Sequence, residues 1–291
     1  MSTQSAHSSM PGVARIALYA FLLASAAFFL LPLVVVLLNS LKSMDEIRAG
    51  SLISLPLAPT FEFWATAWSS ACSGLECKGI SPGFFNSLKI AVPAVILSVL
   101  VGAINGYALS QWKSVAADRM MVAITFGLFI PFQCMMYPTI MLTRSVGVFG
   151  SYWGIVLTHI VYGIPFTTLL FRNFYAGLPD ELTKAARIEG ASFLQTFRYV
   201  MLPLSVNMVV VVGVLQFTGI WNDYFLGLIF AGNESAPMTM QLNNLVNNTR
   251  SEAALNVNMA ATVITAIPTI IVYLASGRYF VRGIAAGAVK G

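Results

Sequence analysis

The chain is short of charge, histidine and cysteine. Only 9% of its 291 residues are Asp, Glu, Lys or Arg, whereas soluble domains carry about a quarter. A water-soluble globule of this length needs a charged shell, so an ordinary soluble enzyme is excluded and lipid is the expected solvent. The two histidines, His7 and His159, stand apart from the three cysteines, and no set with metal-ligand spacing results. No G-x-x-x-x-G-K-[ST] phosphate loop is present, so the chain is expected neither to bind nor to hydrolyse ATP. Paired acids or a histidine cluster inside apolar runs, which a membrane-embedded enzyme needs, are also lacking. The 16 basic and 11 acidic residues leave a net charge of +5. The basic residues are scattered singly at the ends of apolar runs rather than interleaved with aromatics, so no nucleic-acid partner is expected.

What the chain has instead is long uncharged sequence. Six stretches free of Asp, Glu, Lys and Arg exceed 20 residues: Ile16–Leu41, Ile90–Trp112, Met120–Thr143, Ser145–Phe171, Tyr199–Asn222 and Ala253–Gly277. About 20 apolar residues in a helix cross a hydrocarbon core of about 30 Å, and helices satisfy their backbone without water. Six spans are predicted. The first continues through Leu38, well past a signal-peptide core, and is read as uncleaved. Six spans put both termini on one side. That side collects Arg15, Lys113, Arg119, Arg172, Lys184, Arg187, Arg198, Arg278, Arg282 and Lys290, against Lys42, Arg48, Lys78, Lys89, Arg144 and Arg250 opposite. The bias predicts cytoplasmic termini.

Residues 1–12 are expected to form a disordered cytoplasmic tail, residues 13–283 one membrane domain and residues 284–291 a cytoplasmic C-terminal tail. The first external loop, roughly Lys42–Phe84, is the longest. Its Pro56, Pro59, Trp64 and Trp68 suggest a structured or membrane-hugging segment. Cys72 and Cys77 fall in it, either as a disulfide in an oxidising compartment or as two free thiols. Cys134 lies in the third run as a packing residue.

The cytoplasmic stretch between the fourth and fifth runs, about 173–200, is the most patterned. Pro179 suits a first helical turn, and Asp180 and Glu181 favour a helix N-terminus. Leu178, Leu182, Ala185, Ala186 and Glu189 share a face, and Gly190 can end the helix in a left-handed conformation. Ser192 with Gln195 makes a capping box for a second helix bearing Phe193, Phe197, Val200, Met201 and Leu204 on one stripe, up to Pro203. A helix–turn–helix follows. It is either a docking knob, since two alanines beside a glycine let another backbone approach, or an amphipathic hairpin on lipid headgroups.

Lys184-Ala185-Ala186, Gly190, Val200 and Leu202-Pro203 resemble the coupling loop of binding-protein-dependent ABC importer permeases, whose consensus is E-A-A, three residues, G, nine residues, I, one residue, L-P. Lys184 departs from the consensus acid, and Glu181 one turn earlier is a possible substitute. The tail Arg278–Gly291 and Trp221-Asn222-Asp223-Tyr224 are similar to the maltose-type second permease group. Asn105-Gly106-Tyr107, Phe132-Gln133 and Gln241-Leu242-Asn243-Asn244 look most like glucose/mannose-type permeases.

The resemblance implies an all-α integral membrane protein with the type I ABC importer permease fold in a bacterial inner membrane. It implies a second permease, two cytoplasmic ATPase subunits that hold ATP and magnesium, and a periplasmic sugar-binding protein. Glu181, Lys184, Ala185, Ala186, Gly190, Ala191 and Pro203 would carry ATPase coupling. The implied cargo is a sugar, with a monosaccharide such as glucose or mannose expected and an oligosaccharide or polyol as alternative. The stretch Asn233–Asn256 would reach toward the binding protein.

For the pathway itself, Gln133, Tyr137, Gln216, Trp221, Asn222 and Asp223 are candidates, because aromatic platforms with amides and carboxylates suit sugar hydroxyls. Trp221 and Tyr224 can equally form an interfacial belt, and Gln133 and Tyr137 helix–helix hydrogen bonds. His159, beside Tyr162 and Pro165, reads as a hydrogen-bonding packing residue. An ion-coupled secondary transporter is the rival reading, but ionisable residues near mid-membrane and inverted repeats are not evident.

Overall fold

A computed structural model describes residues 12–73, 76–247 and 254–288, with side chains as far as Tyr279. The expected N-terminal tail as far as residue 11, and Arg250, Arg282 and Lys290, lie outside the described residues or side chains.

The chain opens with α1 (Gly12–Asn39), then the short α2 (Met44–Ala49) and α3 (Glu62–Ser69). A two-stranded antiparallel ladder, β1 (Cys72–Ser73) with β2 (Glu76–Cys77), pairs Cys72 with Cys77. Next come α4 (Ser81–Gln111), α5 (Val115–Phe129), α6 (Phe132–Ser145) and α7 (Tyr152–Ala176). The hairpin is α8 (Asp180–Ile188), α9 (Phe193–Thr196), a π turn (Phe197–Met201) and α10 (Leu202–Leu204). α11 (Val206–Trp221), α12 (Phe225–Phe230), α13 (Met238–Val246) and α14 (Leu255–Ala288) complete it. α14 runs on into the segment expected as a C-terminal tail.

Four helices are long and apolar enough to span a membrane: α1, α4, α7 and α14. Two bent pairs, α5 with α6 and α9–α10 with α11, each have the length and composition of one more span, for up to six. The third and fifth runs are thus broken rather than continuous helices. α5 turns 102° into α6 at Ile130-Pro131, where both residues leave the helical conformation. Proline disfavours the helical region in the residue before it. α11 has 16 residues, about 24 Å at 1.5 Å per residue, short of a full crossing.

Packing is organised around α4 and α7, the most extensive helix pair. A methyl group at Gly102 would collide with Thr167, so glycine is what lets the two backbones approach. Thr167 Oγ1 then donates to the Ser98 carbonyl across the pair at 2.9 Å. α1, by contrast, is uncovered over nearly its whole length, with Phe28 and Phe29 fully outward. An all-round apolar helix of this kind is at home in lipid.

The loop after α1 closes on itself. Lys42, counted above among the basic residues opposite the termini, is fully buried. Its Nζ donates to Asn39 Oδ1, the Ser51 carbonyl and Ser54 Oγ at 3.1–3.3 Å, which uses all three donors of an ammonium.

Candidate functional site

The hairpin between α7 and α11 is built from strong local signals. Pro179 stands at the N-cap rather than inside the first turn, and Asp180 and Glu181 lead α8. At the other end Gly190 takes φ +83°. The Ala191 N–H bonds the Ala186 carbonyl at 2.9 Å and the Gly190 N–H bonds the Arg187 carbonyl at 3.0 Å, the paired bonds of a Schellman cap. Ser192 and Gln195 exchange both bonds of the capping box, at 2.8 and 3.3 Å. The two limbs therefore meet at a fixed corner.

The inner face of the hairpin grips the membrane helices. Ala186, Thr183, Thr196, Phe197 and Met201 are buried. Tyr107 of α4 stacks on Phe193 and Phe197, with ring centroids 4.6 and 5.5 Å away, and meets Tyr175 of α7 edge-on at 5.8 Å. The Tyr175 hydroxyl donates to Ser205 Oγ at 3.2 Å, at the 78° break that leads into α11. On the rim, Lys113 bonds Asp180 at 2.7 Å, and this bond holds the Asp180 carboxyl below its ordinary range.

The outer face is free. Lys184, Ala185, Arg187, Ile188, Glu189 and Gly190 are exposed, Ile188 at 86%. Ala185 and Ala186, expected side by side on one face, separate: Ala186 points inward and Ala185 outward. The expected stripe on the second limb is likewise corrected. Phe197 and Met201 face the core, while Phe193 and Leu204 are about half exposed. For Leu204 the cause is the π turn, in which the Leu202 N–H reaches back five residues to the Phe197 carbonyl. It widens the helix just before Pro203 and rotates the residues that follow. Glu181 is exposed, Ala191 partly covered and Pro203 exposed on α10.

The proposed pathway residues do not converge on one open surface. Trp221 is 1% exposed. Its Nε1 donates to the Thr265 carbonyl at 3.0 Å and its ring stacks on Phe217, so it is core, neither belt nor open platform. Gln216 is buried against Gly163 of α7. Asp223 accepts the Gly227 N–H at 3.0 Å and lies 3.9 Å from His159 Nε2. Its carboxylate thus bonds the start of α12 and lies near His159 of α7. Gln133 and Tyr137 on α6, and Asn222 after α11, are exposed.

At the end opposite the hairpin, Cys72 and Cys77 form a disulfide, and Cys134 is free. Ser73 approaches the Gln241 carbonyl, and Gln241 Oε1 accepts the Gly83 N–H at 2.8 Å, which ties the disulfide loop and α13 to the start of α4.

Sequence reasoning missed three features of these sites. The Tyr107 stack was invisible because Tyr107 lies 86 residues from Phe193 in the chain. The π turn has only Pro203 as its signal. The bend of the third span was signalled by Pro131, inside a run otherwise continuous in hydropathy.

Long apolar helices, two broken spans and a capped hairpin between them define a multi-pass helical membrane protein with one projecting knob. The chain belongs to the binding-protein-dependent transport system inner membrane component family, whose pattern matches residues 94–286. It is 36% identical over 278 residues to a probable ABC transporter permease of Pyrococcus horikoshii, covering 95% of this chain and 98% of that one. It is 31% identical to a xylose/arabinose import permease of Haloferax volcanii, covering 93% and 92%. Among solved structures, a chain of a bacterial ABC transporter involved in alginate import superposes with a TM-score of 0.77 at 21% identity, covering 92% and 96%. At that identity the likeness concerns the fold.

Proposed function

We propose that this chain is a membrane-spanning subunit of an ATP-driven carbohydrate importer of a bacterial inner membrane. It forms half of the translocation pathway beside a second permease. Two cytoplasmic ATPase subunits hold ATP and magnesium, and an external binding protein delivers the sugar. Both termini and the hairpin face the cytoplasm, in keeping with the excess of Lys and Arg on that side.

One observation carries the reading. The hairpin is fixed at its corner by two complete capping motifs and clamped to α4 and α7 on its inner face, yet Lys184, Ala185 and Arg187 to Gly190 on its outer face are exposed. A rigid, outward-facing knob between two spans suits docking to an ATPase groove. It suits a headgroup raft less well, because on the first limb Lys184, Arg187 and Glu189 surround the exposed Ile188 with charge and break up an apolar face. Glu181 is the acid available near the position where Lys184 replaces the family's glutamate.

Relatives named for xylose and arabinose, alpha-glucosides and diacetylchitobiose support a sugar as cargo. Within that class we favour a monosaccharide such as glucose or mannose, on the likeness of Asn105-Gly106-Tyr107 and Gln241–Asn244 to that group. Purification from native membranes at endogenous expression tests the reading. A second six-span permease, an ATPase and a sugar-binding protein should accompany the chain, and the ligand of the binding protein names the cargo. A lone chain or homo-oligomer without an ATPase, even after crosslinking, would sink it.

A further inference from the structure

The aromatic cluster at the hairpin end has geometry that packing alone does not require. Tyr107 is 1% exposed and contacts three aromatic rings. Phe193 and Phe197 stack on it nearly parallel, 29° from its plane in each case, and Tyr175 meets it edge-on. Phe171 stacks in turn on Tyr175 at 6.0 Å. Two of these rings belong to the second limb of the hairpin, one to α4 and two to α7. The Tyr107 hydroxyl lies beside Thr196 without a hydrogen bond of ordinary geometry, whereas the ring stacks closely on two rings of the hairpin.

Behind the stack is a rigid block. α4 and α7 are locked by the glycine approach at Gly102 and by the Thr167–Ser98 bond. Beside the stack is a break. Tyr175 reaches Ser205, where the chain turns by 78° between α10 and α11. Ser205 itself is fully buried, and its N–H bonds the Met201 carbonyl at 3.0 Å. A displacement of the hairpin therefore has two stiff routes out: through Tyr107 into the α4–α7 block, and through Tyr175 to the hinge of the fifth span. Close-packed aromatic groups transmit a shift rather than absorb it.

We infer that Tyr107 is a positioning residue that couples movement of the hairpin to the α4–α7 block, so that its ring, and not its hydroxyl, links ATP hydrolysis to transport. The inference rests on the importer reading above and adds to it a residue that touches neither ATP nor sugar.

The test uses the complete complex, reconstituted in liposomes with its binding protein. ATP hydrolysis with and without the binding protein is measured beside uptake of radiolabelled glucose, xylose and maltose. Tyr107→Ala should leave assembly and basal ATP hydrolysis in place, while binding-protein stimulation falls about tenfold, within the usual range of a coupling between sites. Uptake should fall in proportion. Tyr107→Phe should restore both, because it keeps the ring. Stimulation and uptake at wild-type level in Tyr107→Ala would overturn the inference, as would failure of Tyr107→Phe to rescue. If Tyr107→Ala does not assemble, Phe193→Leu decides, since Phe193 is half exposed and its loss leaves the core filled: retained coupling in that variant also overturns it. Failure of the importer reading looks different, because the wild-type complex itself would then show no ATP hydrolysis and no uptake of any of the three sugars.

Discussion

Gly190 shows how much one residue can decide. At φ +83° any other L-residue is strained, by about 1–2 kcal/mol for most side chains and least for asparagine, which visits this region through local hydrogen bonds. A Cβ placed there meets nothing within 4 Å among the described residues, so the cost within the chain is conformational and a steric cost would come from a partner. The two contributions separate by substitution. Gly190→Val should insert and assemble with the second permease but lose transport. Gly190→Asn should keep the corner and reveal what the partner tolerates: near-normal uptake if the corner alone matters, loss if another backbone packs against the glycine. Uptake in cells with membrane insertion checked by immunoblot reads both, and wild-type uptake by Gly190→Val would count against a coupling role. This position was legible in the sequence because glycine, the capping box and the Leu-Pro pair are local signals. Trp221 was not. Whether an indole at the end of an apolar run meets lipid, sugar or protein depends on α3, α4 and α14, whose approach no local spacing encodes.

Among the elements, α4 and α7 form the frame, and two further spans are broken by sharp bends. Gly102 sits where the frame is tightest, and filling it with valine forces the helices apart. Overpacking of this kind costs about 1–3 kcal/mol, so Gly102→Val should lower the thermal unfolding midpoint of the purified complex by several degrees, whereas Gly213→Ala, where an added methyl group meets nothing, should not. An unchanged midpoint for Gly102→Val would mean that the two helices are not held at this distance. The apolar runs located these elements, though α4 begins nine residues before its run and α7 seven residues after the start of its own, because hydrocarbon thickness sets their length. The breaks were less legible. Pro131 and Pro203 mark them, but proline within α1, α4, α7 and α14 leaves those helices continuous. In a membrane, neighbouring helices and hydroxyl groups re-satisfy the freed carbonyls, so the residue alone does not tell a tolerated proline from a hinge.

At the scale of the whole molecule, a stiff two-helix frame carries at one end a capped hairpin with its outer face bare. At the other end a disulfide-closed loop is tied to α13. The runs of apolar residues and the hairpin motif made this division readable from the sequence. The way the ends connect, through Tyr107, Tyr175 and Ser205, rests on contacts between residues far apart in the chain and became visible only in three dimensions. The central claim is that the bare face of the hairpin docks an ATPase. The direct measurement is thiol crosslinking in native membranes with Cys134 replaced by serine, comparing Ala185→Cys, which points outward, with its neighbour Ala186→Cys, which points into the hairpin. A short bifunctional maleimide should join the Ala185→Cys chain to an ATPase subunit and leave the Ala186→Cys chain unjoined. Capture by neither variant, with the complex otherwise intact, would contradict the account.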